Sequence, residues 1–253
     1  MRGPDHGFFV GYFKSVPPAV KRFSLAAGVA LVSAFVAAAV ALAVATGDPG
    51  SGRFDNELGP EAMTGVLEQH PYPILRVPAL GGRPARAVML SGQGKAGVQD
   101  PSAALAGKTV EVGGVFVKRG DVDILLVGGR VGLRAAEGDP PPPEIAPAVP
   151  LGRWRLTGEI CDGKCYAGAM KPGRGLAHKA CANLCITGGL PPVLVMALPV
   201  EGATMVLLAD RDGGPLPDAV LDYTATPVEI EGTLERRDDL LVFRVDTDGV
   251  KVL

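Results

Sequence analysis

The hydrophobic and polar positions divide the chain into one long apolar run and two regions of short, alternating runs. Residues 24–46 (SLAAGVALVSAFVAAAVALAVAT) form a stretch of 23 residues without a charged side chain. At about 1.5 Å rise per residue, a helix of this length crosses a hydrocarbon core of roughly 30 Å. The pattern predicts a single transmembrane helix over 24–46, preceded by an N-terminal tail over 1–23.

The charges on either side of this run predict its orientation. Four basic residues and one acidic residue precede it, and four acidic residues and one basic residue follow it: Arg2, Lys14, Lys21, Arg22 and Asp5, then Asp48, Asp55, Glu57, Glu61 and Arg53. Positive charge is retained in the cytoplasm. We therefore expect a cytoplasmic N-terminus, a single-pass helix in a bacterial inner membrane and a periplasmic bulk. A signal peptide cleaved after Ala43-Val44-Ala45 is the alternative, and it also exports the bulk.

The exported part is divided by composition. Residues 47–60 are rich in glycine and acidic side chains and are typical of a tether. Residues 138–150 (GDPPPPEIAPAVP) are typical of a semi-rigid polyproline linker. The two β-rich units predicted on either side of this linker are residues 61–137 and 151–253.

The two units carry the same pattern, which indicates a tandem repeat. VEVGGVFVKRGDVDILLV begins at Val110, and VEIEGTLERRDDLLVFRV begins 118 residues later at Val228. Each predicts a hairpin with a charged turn. Each unit shows five candidate strands: Met63–Leu67, Ile74–Val77, Ala87–Leu90, Thr109–Lys118 and Val122–Val127 in the first, then Arg153–Ile160, Val193–Leu198, Thr204–Ala209, Val228–Arg236 and Leu240–Val245 in the second.

A short helical piece fits between the third and fourth strands of each unit, at Pro101–Leu105 and Asp218–Tyr223. Five strands with a helix after the third is the order of an OB-fold barrel. The sequence therefore predicts a mainly β protein in which a single N-terminal transmembrane helix is followed by two tandem OB-like β-barrels. Two generic small β-domains are the alternative.

Charge and motif content exclude several classes of function. Lys and Arg total 25 against 27 Asp and Glu, and aromatic residues make up 5% of the chain. Proteins that bind single-stranded nucleic acid combine a basic groove with stacking aromatic rings, so nucleic acid is not an expected partner. The sequence lacks G-x-S-x-G, H-E-x-x-H and a dinucleotide fingerprint, so we expect no enzymatic activity.

All four cysteines lie in residues 161–185, which interrupt the second unit as an insertion. They form two C-x3-C pairs separated by a Lys171–Gly175 reversal, so the segment predicts a hairpin. A helix over 177–185 would place the histidine and the second pair of cysteines on one face. Two antiparallel arms would place the cysteines opposite one another as two disulfides, Cys161–Cys185 and Cys165–Cys181.

Metal binding is the alternative to disulfides in this segment. Four thiolates, or three thiolates with His178, satisfy tetrahedral zinc. His178, Met170 or a free cysteine would also suit copper or non-covalent haem, since soft sulfur and nitrogen donors favour copper. The full candidate ligand set is Cys161, Cys165, His178, Cys181 and Cys185. A redox-active dithiol is a third hypothesis for the same residues.

The cysteine segment resembles a family of exported or membrane-anchored bacterial proteins without an assigned chemistry. The resemblance rests on C-D-G-K-C-Y at 161–166, H-K-A-C-A-N-L-C at 178–185 and G-G-L-P-P at 188–192. It implies the same arrangement of an anchor and β-units, and it assigns no catalytic residue.

Two functions are therefore expected. The first is a non-catalytic, membrane-anchored periplasmic module without a cofactor, which docks on or helps to assemble a membrane-associated complex, such as a respiratory or redox complex. The alternative is an electron carrier or metallochaperone that binds zinc, copper or haem through the cysteine segment.

Overall fold

The computed structural model describes residues 16–45, 50–55, 62–138 and 140–253. Residues 1–15, 46–49, 56–61 and 139 lie outside the described part, and they include most of the charges that flank the apolar run. The described residues form one long N-terminal helix and two β-sheets.

The N-terminal helix α1 spans Pro18–Ala45, so it begins six residues before the predicted start and includes Lys21 and Arg22. Proline is tolerated in the first turn of a helix, where its missing N–H has no partner in any case. The described residues include one helix that is both long enough and apolar enough to cross a membrane. It covers Pro18–Val44 and has a mean hydropathy of 2.5. A signal sequence satisfies the same criterion. The predicted apolar helix is confirmed in both position and character.

The first β-rich unit forms one sheet of eight strands. Its elements are β1 (Arg53–Asp55), β2 (Met63–Glu68), β3 (Ile74–Val77), β4 (Arg86–Ser91), α2 (Gln99–Ala103), β5 (Thr109–Val112), β6 (Gly114–Arg119), β7 (Val122–Val127) and β8 (Leu133–Ala135). The order across the sheet is β1-β6-β7-β4-β3-β2-β5-β8, in which β4 and β7 are parallel. The five predicted strands are all present, and β1 and β8 are short additional strands at the edges.

The closed barrel predicted for this unit is not confirmed. The single strand predicted over Thr109–Lys118 breaks at Gly113, so β5 pairs with β2 while β6 pairs with β7. A side chain at Gly114 would collide with the carbonyl oxygen of Leu126, which shows how closely the chain approaches its neighbour at the break. The two glycines let the chain change partners here, and the sheet remains unclosed.

The second unit forms a closed barrel of five strands. They are β9 (Val149–Asp162), β10 (Pro192–Val200), β11 (Ala203–Ala209), β12 (Pro227–Arg237) and β13 (Leu240–Val252), in the order β10-β11-β13-β12-β9. A 3-10 turn covers Asp218–Tyr223 as predicted. Alternate positions on the strands fill the barrel, with Leu156, Ile230 and Phe243 among the most buried side chains.

The two units share a hydrophobic core, and residues 49–253 form one compact body. Ile74 and Met89 of the first unit pack in the same cluster as Val193 and Leu207 of the second. The proline-rich segment 138–150 therefore joins two units that are packed against each other.

Equivalent aspartates of the two repeats each accept a backbone hydrogen bond across this boundary. In the first hairpin turn, Asp121 accepts a hydrogen bond from the backbone N–H of Thr204 at 2.8 Å. In the second hairpin turn, Asp239 accepts one from the backbone N–H of Ala87 at 2.7 Å. Asp121 and Asp239 are 118 residues apart, as the repeat predicts.

The cysteine insertion begins where β9 ends. Cys161 and Asp162 are the last two residues of this strand, and a π-type turn follows at Cys165–Ala169. A 3-10 turn over Leu176–His178 leads into helix α3, Lys179–Thr187. The helical second arm predicted from the sequence is thus present, whereas the first arm is the end of a strand and a turn.

Candidate metal centre

Three cysteines, one histidine and one aspartate meet where the insertion folds against the loop between β4 and α2. Cys165, His178 and Cys181 place their potential ligand atoms within 4.8 Å of one another, and so do Asp162, Cys165 and Cys185. Cys165 belongs to both groups. The five side chains therefore form one continuous set of sulfur, nitrogen and oxygen donors.

Most of these donors are inaccessible to water. Asp162 is fully buried, and Cys165, His178 and Cys185 are 4%, 3% and 1% exposed. Cys181 lies on the outer side of the cluster and is partly exposed. The cluster is therefore a buried site with one donor facing its rim.

Asp162 orients two of the other donors. Its Oδ1 accepts a hydrogen bond from the backbone N–H of Cys165 at 2.8 Å, and its Oδ2 lies 3.0 Å from Nε2 of His178. Metal-binding histidines are commonly held in this way by a carboxylate on the ring nitrogen that does not bind the metal. The contact leaves Nδ1 of His178 as the nitrogen available to an ion.

Two lysines place positive charge beside the sulfurs. Nζ of Lys95 lies 2.8 Å from Sγ of Cys181 and 3.7 Å from Sγ of Cys185. Lys164 is buried, and its ammonium donates hydrogen bonds to the carbonyl oxygens of Gly92 and Gly94. Cationic neighbours favour the thiolate form of cysteine, which is the form that binds metals.

Lys95 belongs to the first unit, and close glycine packing brings it to the cysteines of the second. The N–H of Gly97 donates to the carbonyl oxygen of Gly188, at the C-terminus of α3, at 2.7 Å. A Cβ at Gly188 would collide with the carbonyl oxygen of Lys95. The absence of a side chain at this position lets the 92–98 loop lie directly on the end of the helix.

The thiols of Cys165 and Cys185 behave as a pair. The hydrogen bond from Cys165 lowers the pKa of Cys185 to about 6, against the opposing effect of burial. The same hydrogen bond, with burial, raises the pKa of Cys165 above its ordinary range. Cys185 is thus the preferred thiolate, and Cys165 is the thiol that donates to it.

Cys161 lies apart from this cluster. It packs in the core shared by the two units, and its thiol donates to Oε1 of Glu159 at 3.3 Å. Burial, followed by the charge of Glu159, raises the pKa of Cys161 well above its usual value. Among the described residues, neither donor group includes Cys161.

All four cysteines are free thiols in the structure. The disulfides Cys161–Cys185 and Cys165–Cys181 stay predictions. The sulfurs of Cys165 and Cys181, which the second of these disulfides would join, are neighbours. The sulfur that lies beside Cys185 belongs to Cys165.

Sequence reasoning identified four of the clustered donors and missed Asp162, Lys95 and Lys164. Asp162 and Lys164 lie between the two cysteines of the first C-x3-C pair, and this position in the sequence could have indicated that they belong to the site. Lys95 lies in a glycine-rich loop of the other unit, about 90 residues away, and no local pattern indicates its role. The cluster thus depends on packing between the two units.

Comparison of the chain with known protein families, characterised proteins and solved structures found no significant match. The family resemblance of the cysteine motif stays a prediction.

Proposed function

We propose that this protein binds a soft metal ion of the zinc or copper class through Cys165, His178, Cys181 and Cys185. The observation that carries the proposal is the convergence of Cys165, His178 and Cys181 within 4.8 Å of one another. Cys185 joins the set through Cys165, in a second group of the same size that Asp162 completes. Zinc–sulfur bonds of about 2.3 Å place the corners of a tetrahedron about 3.7 Å apart. Side-chain movements on the order of 1 Å would therefore close Cys165, His178 and Cys181 around an ion, and Cys185 would complete the tetrahedron.

The charges around the cluster suit a metal thiolate complex. Three thiolates, a neutral imidazole and a divalent ion carry one net negative charge, and the carboxylate of Asp162 adds a second. Lys95 and Lys164 are placed to balance these two charges. Asp162 supplies the carboxylate that fixes the histidine ring, and such outer partners typically change metal affinity 10- to 100-fold.

We assign the site to metal carriage, as in a metallochaperone or an electron carrier, and not to catalysis. Catalytic zinc sites keep a position open for water or substrate, whereas the four proposed donors complete a tetrahedron. The apolar helix α1 supports a single-pass anchor in a bacterial inner membrane, with the N-terminus in the cytoplasm and the β-units in the periplasm. The parallel β11–β13 pair within the five-stranded barrel supports an OB-like origin for both repeats.

Metal analysis of the full-length protein tests the proposal. The chain would be purified in detergent under reducing, anaerobic conditions, loaded with zinc or cobalt and desalted. We expect a single ion per chain and, with cobalt, sulfur-to-metal charge-transfer bands in the near ultraviolet. Cys165→Ser and Cys185→Ser should each abolish both signals.

Cys161→Ser is the matched control, because this cysteine belongs to the same motif but lies outside the cluster, and its metal content should equal that of the wild type. The proposal is wrong if the wild type binds no metal, or if Cys161→Ser loses as much metal as Cys165→Ser. A haem absorption band that survives Cys165→Ser and Cys185→Ser would also overturn it.

Docking on a membrane-associated complex, such as a respiratory or redox complex, is a second candidate function. Leu184 and Leu176 are 60% and 71% exposed on and just before the helix that carries Cys181, and exposed apolar side chains are frequent at binding surfaces. A photoreactive residue at position 184 should crosslink to a membrane protein in native membranes. Leu184→Asp should reduce co-purification of that partner without changing metal content, and unchanged co-purification would contradict docking at this face.

A further inference from the structure

A thioether extends the donor cluster toward the surface. Sδ of Met170 lies 3.5 Å from Sγ of Cys181. Met170 is 46% exposed and Cys181 is partly exposed, whereas Cys165 and Cys185 are buried. The sulfur atoms therefore run from solvent to interior, beginning at Met170 and ending at the paired thiols.

The backbone presents Met170 to the cluster in a defined way. Met170 follows the π-type turn and returns to an extended conformation, with φ −144° and ψ 152°. Gly168 within that turn has φ 133°, a conformation that residues with side chains rarely adopt. Gly173 packs so closely on Cys165 that a Cβ would collide with its carbonyl oxygen. Residues 170–173 are thus folded back onto the turn, and this fold holds the thioether against Cys181.

We propose that the metal carried by this site is Cu(I), and that it enters through Met170 and Cys181; this inference rests on the proposed metal-binding function. Zinc in proteins is bound by thiolate, imidazole and carboxylate groups. Thioether and thiolate sulfur together select Cu(I). The thioether of a methionine beside the most exposed cysteine of the cluster is therefore a ligand suited to Cu(I) and not to Zn²⁺.

Entry is a ligand exchange without electron transfer. A copper carrier delivers Cu(I), whose bonds to the carrier break as bonds to Sδ of Met170 and Sγ of Cys181 form. Sγ of Cys185 then binds as the second thiolate while Sδ of Met170 stays bound, so the loaded protein keeps the thioether ligand. Each cysteine that is still protonated releases its proton to water when it binds, and copper remains Cu(I) throughout. Lys95 remains beside the sulfurs as a countercharge to the anionic two-thiolate complex.

Competition with chromophoric chelators tests this assignment on the full-length protein in detergent. Cu(I) affinity would be measured against bicinchoninate without oxygen, and Zn²⁺ affinity against pyridylazoresorcinol. We expect Met170→Leu to bind Cu(I) roughly tenfold more weakly and Zn²⁺ with unchanged affinity. Met63→Leu is the matched control, because Met63 packs against the core of the first unit, and it should change neither affinity.

X-ray absorption at the copper edge supplies a direct readout. Selenomethionine-labelled protein loaded with Cu(I) should show copper–selenium scattering, which Met170→Leu should remove and Met63→Leu should retain. Undiminished Cu(I) affinity in Met170→Leu, or no copper–selenium scattering in the wild type, would overturn the role of Met170 and leave the Cys/His centre standing. Failure of the wild type to bind either metal would instead remove the proposed function itself.

Discussion

Asp162 and His178 are held side by side, with Oδ2 of the carboxylate 3.0 Å from Nε2 of the imidazole. The contact joins the last residue of β9 to the residue immediately before α3. Both side chains are buried, with His178 3% exposed and Asp162 fully enclosed. The start of the cysteine insertion is thereby fixed to the start of helix α3 at the centre of the donor cluster.

Replacement of the carboxylate tests how much of the metal affinity depends on this contact. Asp162→Asn keeps an oxygen that can accept from the N–H of Cys165 but removes the charge beside His178. We expect metal affinity to fall 10- to 100-fold, as for other carboxylates that orient a metal-binding histidine. Chelator competition measures it. Asp246→Asn, at an exposed ion pair with Arg153, is the control and should leave affinity unchanged.

The contact between Gly188 and the Lys95 loop predicts a loss of stability when the glycine is replaced. A methyl group in Gly188→Ala must displace the carbonyl of Lys95. We expect a loss of about 1–3 kcal/mol in the free energy of unfolding, typical of overpacking. Urea denaturation measures the loss. In Gly128→Ala, the added methyl would meet only the end of the Gln93 side chain, and equal losses in both variants would contradict this explanation.

A buried arginine links the two units. Arg76 is 1% exposed, and it bonds Asp238 of the second unit and Glu68 of its own unit, each at 2.6 Å. Arg76→Met leaves two carboxylates without their shared partner, so we expect a loss of about 3 kcal/mol in the free energy of unfolding. Arg155→Met removes an exposed pair with Glu231 and should change stability little. Similar midpoints for the two variants in chemical denaturation would show that Arg76 is not a critical link.

Tyr72 predicts alkaline instability. Burial, the main cause, raises the pKa of Tyr72 to about 12 although the backbone N–H of Leu216 donates to its oxygen. The unfolded chain loses this proton near its ordinary pKa of 10.0, so the folded state alone keeps it between these values. Stability should therefore fall between pH 10 and about 12, by on the order of 2 kcal/mol. Tyr72→Phe should flatten this part of the pH–stability curve, and parallel curves for the two proteins would contradict the prediction.

The strands could be predicted because each is a run of residues that favour strands, bounded by turn residues. Ile74–Val77, Val122–Val127 and the 3-10 turn at Asp218–Tyr223 have the predicted bounds. The edge strands β1 and β8 could not, since three residues carry no detectable periodicity and both strands depend on their partners. The break at Gly113 was also missed, because two glycines inside an apolar pattern do not reveal that the chain changes neighbours.

The sequence predicted the geometry of the candidate site only for the residues at and just before helix α3. The spacing of His178, Cys181 and Cys185 is that of one helix face, and the structure places these residues together. The antiparallel-hairpin hypothesis placed Cys161 opposite Cys185, but β9 continues through Asp162. Successive side chains of a strand point to opposite faces, so Cys161 enters the shared core while Asp162 enters the cluster.

The equivalent aspartates Asp121 and Asp239 each bond a strand of the other unit, at Thr204 and at Ala87. The arrangement resembles an isologous dimer fused into a single polypeptide. Because hydrogen bonds and a shared core hold the two units together, a protease cut within the proline-rich segment would leave the two fragments associated. The same arrangement lets the second half carry the cysteine insertion while the first half supplies Lys95 from a loop and keeps its own sheet uninterrupted.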